Sequence, residues 1–155
     1  MPNRGTRFSI VSLLLITAFG SQQKNDPLMG TRFLAVAKST FSPGPPIRKM
    51  TVKYEPITGG VKATITGIDG YGTPFKEVYQ AKLDGKDYSV VGSPDWDTIA
   101  LTRLDDSSLD QTRKMKGQVV NIAHMVLSSD GRLLTVTEKG ADGQRGDVLV
   151  FERGG

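Results

Sequence analysis

Residues 49–85 read KMTVKYEPITGGVKATITGIDGYGTPFKEVYQAKLDG. Met50, Val52 and Tyr54 alternate with Thr51, Lys53 and Glu55, so an extended segment there has one oily side and one wet side. Pro56 to Gly60 interrupts the pattern. Val61, Ala63 and Ile65 then oppose Lys62, Thr64 and Thr66. Asp69-Gly70-Tyr71-Gly72 is the residue chemistry of a hairpin turn. Phe75, Tyr79, Ala81 and Leu83 share a face of the next run, interrupted by Glu77, and Asp84-Gly85 turns the chain again. A period of two punctuated by glycine predicts consecutive antiparallel strands.

The same grammar extends in both directions. Upstream, Gly30 to Ala37 reads as a first strand, and Ser42-Pro43-Gly44-Pro45-Pro46 as an extended surface loop, because three prolines cannot donate to a helix or ladder. Downstream, strands are expected over Lys86 to Val91, Thr98 to Leu104, Leu109 to Met115, Gln118 to Leu127, Arg132 to Lys139 and Val148 to Glu152. Leu109 to Met115 is the more polar of these and reads as an edge or rim strand. Short connections force antiparallel neighbours, since a parallel pair needs a long crossover. The fold class is therefore all-β, an antiparallel up-and-down meander of about eight to ten strands. Closure into a barrel removes exposed edges and is the first choice; a two-sheet β-sandwich is the alternative.

The first twenty residues read as an address. Met1 to Arg7 carries two arginines and no acid, Phe8 to Phe19 is uncharged and apolar, and Ala18 and Gly20 are small residues at a cleavage point. These are the parts of a secretory signal, with the cut expected between Gly20 and Ser21. The expected organisation is a signal peptide over 1–20, a flexible leader over 21–29 and one domain over 30–153, in a periplasmic or secreted protein with no membrane span after processing. Of 20 basic and 16 acidic residues in the chain, Arg4 and Arg7 fall in that segment, leaving 18 against 16, or +2. That balance does not suggest a nucleic-acid partner. Arg113, Lys114 and Lys116 form the only local basic cluster, read as a solvated hairpin tip. The absence of cysteine excludes disulfides, thiolate nucleophiles and thiolate metal sites.

Several pieces carry a resemblance. Gly30-Thr31, the run Lys38-Ser39-Thr40-Phe41-Ser42-Pro43-Gly44-Pro45, the run Asp84-Gly85-Lys86-Asp87-Tyr88 with Gly92-Ser93-Pro94-Asp95 and Asp97-Thr98, and Ser129 to Thr137 together resemble a group of small secreted bacterial proteins of unknown function. More distantly, the chain is similar to the lipocalin and fatty-acid-binding superfamily. Phe151-Glu152-Arg153 fits the closing strand of those barrels, while Arg32 stands where the opening strand of that superfamily has tryptophan. The resemblance implies a lipocalin-like (calycin-like) barrel.

Chemistry-bearing residues are sparse. His124 is the sole histidine, in phase with Val120, Ile122 and Val126, and reads as a packed or rim residue. Asp95 and Asp97 flank Trp96 in a loop but lack the glycine and bidentate glutamate of a calcium loop, so loop capping is expected. Arg145-Gly146-Asp147 reads as turn chemistry. No catalytic or cofactor-binding motif occurs, so no catalytic residue, metal site or cofactor is expected, and the chain reads as a non-enzyme. Arg103 shares a face with Ile99 and Leu101, and Tyr79 one with Phe75 and Ala81. If those faces line a barrel, Arg103 and Tyr79 could hold an anionic head group, as internal Arg and Tyr do in the fatty-acid-binding proteins the chain resembles, with Trp96 as a further contact. The first functional reading is a binder of a small apolar or amphipathic ligand inside the barrel. The alternative is a structural or protein-interaction module acting through its loops around a filled core.

Overall fold

A computed structural model describes residues 26–155. The predicted signal segment, the Gly20–Ser21 cleavage point and the leader as far as residue 25 lie outside them. The described residues form ten strands: β1 (Gly30–Leu34), β2 (Lys49–Ile57), β3 (Gly60–Ile68), β4 (Pro74–Lys82), β5 (Asp84–Val91), β6 (Thr98–Arg103), β7 (Ser108–Met115), β8 (Gln118–Leu127), β9 (Leu133–Gly140) and β10 (Arg145–Arg153). Each pairs antiparallel with its sequence neighbour, and β1 pairs with β10, so the sheet closes into a barrel. The sandwich alternative is thereby excluded. No helix among the described residues is long and apolar enough to cross a membrane.

Two local expectations change. The first strand stops at Leu34, and Val36–Lys38 forms one turn of 3-10 helix where strand was expected to Ala37. Ser39 accounts for the turn: its hydroxyl donates to the Ala35 carbonyl and accepts from the Val150 N–H, at 2.9 and 3.0 Å. The chain then rejoins β10 through a bridge between Thr40 and Val148. Strand β7 is no edge; it lies inside the ring between β6 and β8. Two of its polar residues, Gln111 and Arg113, face the barrel lumen, while Asp110 and Lys114 face outward.

Alternation sends one face of every strand inward. Val52, Tyr54, Ala63, Tyr79, Ile99, Leu101, Leu109, Met125, Leu134 and Phe151 form the buried core with their neighbours. Burial of such side chains contributes about 1.5–3 kcal/mol each, which orders a sheet of this size without disulfides. The two barrel ends differ. At one end Asp26–Met29 folds beneath the strands: Leu28 is buried, Asp26 is ion-paired with Arg103, and the Pro27 carbonyl accepts from Arg32 Nη2 at 2.6 Å. Arg32 is itself completely buried and also donates to the Gly131 carbonyl at 3.2 Å. Its guanidinium therefore ties the incoming chain to the β8–β9 turn. Burial, and then the charge of Arg153, lower its pKa. Around the ring, β4 and β5 are the loosest neighbours, with Val78–Val91 and Tyr79–Val90 as their register pairs, against nine pairs between β3 and β4.

Candidate functional site: a cup at the open barrel end

The other end is hollow. A cavity of about 280 Å³ lies between the start of β2, the β3–β4 turn, the β5–β6 loop and the start of β10. Its apolar wall comes from Ile47, Met50, Ile65, Phe75, Pro94 and Leu149. Beneath it a narrow space of about 40 Å³ reaches down to Tyr54, Tyr79 and Phe151. Below that, side chains fill the lumen. The wall is held by close packing of backbone: a Cβ at Gly70 would sit 2.6 Å from Pro45, so the glycine lets the proline-rich loop rest on the β3–β4 turn.

Polar residues converge on this cup from strands far apart in sequence. Arg113 is the hub. Its Nη1 donates to Glu138 Oε1 at 2.8 Å and to Asn121 Oδ1 at 3.2 Å. The orientation of the Gln111 amide that satisfies both groups turns its oxygen to Arg113, accepting from Nη2 at 2.7 Å and from Nε. The guanidinium also lies over the Trp96 ring, 4.5 Å from its centroid, where the negative π face attracts the cation. The Arg113–Glu138 pair is mostly shielded, with side-chain exposures of 14% and 13%, so solvent screens it less than a surface pair.

Glu77 faces the same cup and is 9% exposed. Burial raises its carboxyl pKa, while Arg113 and hydrogen bonds from Ser93 and Trp96 draw it partly back. No cation lies within ion-pair distance of it among the described residues. Asp147 accepts the Ser42 N–H at 2.7 Å; burial raises its pKa too, and the neighbouring Glu138 adds to the effect. Asp69 accepts the N–H groups of Tyr71 and Thr73 at the turn, at 2.9 and 2.8 Å. Deeper still, Tyr54 and Tyr79 line the narrow space together. Burial pushes Tyr54 up to about 12 and Tyr79 well above its ordinary value.

The residues singled out from sequence are thus divided between the two ends. Trp96 lines the cup, and Tyr79 lines the narrow space beneath it. Arg103 points into the opposite end, where Asp26 neutralises it, so Arg103 and Tyr79 do not form one head-group site. Arg113, read as part of a solvated tip, is an interior residue. Its signal was phase: it shares the strand face of Gln111 and Leu109, both buried. His124 is neither packed nor at the rim; it stands on the outer wall, about half exposed, with Nδ1 2.7 Å from Asp110 Oδ1. The inward face of β8 is Ala123, Met125 and Leu127 instead. Within the β5–β6 loop, Asp97 Oδ2 accepts the Lys116 N–H at 3.0 Å, fastening the loop to the β7–β8 turn. Asp147 of the Arg-Gly-Asp tripeptide turns into the cup.

No family model matches the chain, and no curated protein matches it.

Proposed function

We propose that this chain is an exported, non-catalytic carrier of a small amphipathic ligand, built on a calycin-like barrel, with the cup at the open end as its binding site. The cavity of about 280 Å³ carries the reading. Ligand sites are concave, mostly apolar and fitted with a few placed polar groups, and they start near 300 Å³. This cup combines an apolar wall with Trp96, Glu77 and the Arg113 cluster, and it sits where a barrel opens to solvent. The signal-like first twenty residues support export to the periplasm or beyond.

A second reading, an interaction module acting through its loops, draws support from the filled lower barrel and from Tyr71, 81% exposed on the β3–β4 turn. Native mass spectrometry separates the two. The processed protein is presented with a panel of small amphipaths bearing cationic, neutral and anionic heads. The carrier reading expects one-to-one adducts with some of the panel, lost in Ile65→Phe, which fills the cup. Adducts with none of the panel, or adducts undiminished in Ile65→Phe, would overturn it.

A further inference from the structure

We infer that the cup selects an organic cation, an amine on an aromatic or aliphatic body, with the Glu77 carboxylate receiving the ammonium and Trp96 flanking it. The inference rests on the carrier reading and goes further by naming the ligand's charge.

The charge balance of the lining is the first ground. Among the described residues, Asp69, Glu77, Asp95, Glu138 and Asp147 supply five carboxyl groups to the lining, against Arg113 as the single cation. An anion entering the cup would meet a predominantly acidic lining, offset by Arg113 alone.

The state of Arg113 is the second ground. A guanidinium has five N–H donors. Four bonds to Glu138, Asn121 and Gln111 engage four of them, and Trp96 covers a face of the group. The group that would clamp a carboxylate or phosphate is therefore committed to the wall. An anionic ligand would have to displace Glu138 and leave that buried carboxylate without its counter-charge, held by the Asn121 amide alone at 3.5 Å, which is costly.

Glu77 is the third ground. Its carboxyl is nine-tenths buried, and neutral donors, Ser93 and Trp96, are its hydrogen-bonding partners. Burial favours its neutral form more than the nearby Arg113 charge opposes it, and no cation among the described residues sits at ion-pair distance, so a positive charge placed directly against it would find an unpaired carboxylate. A primary ammonium supplies that charge together with three N–H donors. The apolar wall of Met50, Ile65 and Phe75 accepts the body of the molecule, and the Trp96 ring offers a cation a π surface of the kind Arg113 already uses.

The test is a matched series of 4-phenylbutylamine, 4-phenylbutanol and 4-phenylbutanoate, which share a body and differ in the head. Trp96 is the sole tryptophan, so intrinsic fluorescence reports occupancy of the cup directly. At neutral pH the amine is expected to bind at least tenfold more tightly than the alcohol, and the alcohol more tightly than the carboxylate. In Glu77→Gln the amine-to-alcohol ratio should narrow to within about twofold. Binding of the carboxylate as tightly as the amine would overturn the inference and leave the carrier reading standing. A ratio unaltered by Glu77→Gln would remove Glu77 from the assignment. Absence of binding by all three at millimolar concentration would remove both readings. If Glu77→Gln does not fold, the series on the native chain decides the charge preference by itself.

Discussion

Leu134→Ala and Ile65→Ala each delete three carbons from inward-facing side chains, yet they should differ several-fold in cost. Leu134 lies in the filled lower barrel and is 1% exposed. Losing three buried methylene equivalents at about 0.8 kcal/mol each gives about 2.4 kcal/mol of transfer free energy. A void then remains between rigid strands, and it adds about 24 cal/mol for each Å³ that the surroundings fail to reclaim. The total is about 3–4 kcal/mol. Ile65 is half-buried and borders the cup. Its truncation only enlarges space that is already open, so the cavity contribution vanishes and about 1 kcal/mol remains. For a domain of this size the first change lowers Tm by about 10 °C and the second by about 3 °C. Urea and thermal unfolding, followed by circular dichroism and Trp96 emission, measure both. Equal costs would refute the division of this lumen into a packed floor and a hollow mouth.

Three further outcomes follow from the same geometry. Arg113→Met strips Glu138 of its counter-charge, so it should cost about 3 kcal/mol at pH 7, and it should shift Trp96 emission by removing the cation from its ring. Glu77 has a raised pKa in the fold; between the ordinary glutamate range and that raised value the folded chain binds more protons than the unfolded one, so stability falls as pH rises through the window. Glu77→Gln removes that slope, and its Tm should gain on the native protein from pH 4 to pH 8; parallel Tm profiles would count against a desolvated carboxyl, with Asp147 supplying a residual slope of the same sign in both. Gly92→Ala combines a φ of +94° with a Cβ placed 2.1 Å from the Lys76 carbonyl, so it should cost more than about 1 kcal/mol and speed amide exchange in β4 and β5, whose pairing is already short.

Much of the barrel was legible because its information is local. Alternation in Lys49 to Glu55 and turn residues such as Asp69-Gly70 each concern a handful of neighbours, and a meander is what local rules generate when applied repeatedly. Closure is less local, yet the shared inward phase of β1 and β10 permits it. The cup was only half legible. Glu77, Arg113, Glu138 and Asp147 each stand in phase with core residues of their own strand, so each could be read as inward. That they converge depends on register around the ring, which no single strand encodes. Arg103 shows the same gap in reverse: its phase was right, but its height in the barrel put it at the sealed end beside Asp26. Strand β8 failed for another reason. Ile122, Val126 and Leu127 make both of its faces apolar, so hydrophobicity does not say which one turns inward, and the exposed face holds Ile122 at 44% and Val126 at 39%.

The pairing of β1 with β10 carries a consequence for engineering. Gly154 donates its N–H to the Thr31 carbonyl at 2.9 Å, so the head and tail of the ring already touch, and every other adjacency joins segments consecutive along the polymer. Such a circle has no privileged seam. A permutant spliced across that junction and reopened at Lys116-Gly117, an exposed corner with no other atoms crowding the glycine, would zip the same ten staves in a different temporal order and end in the same cask.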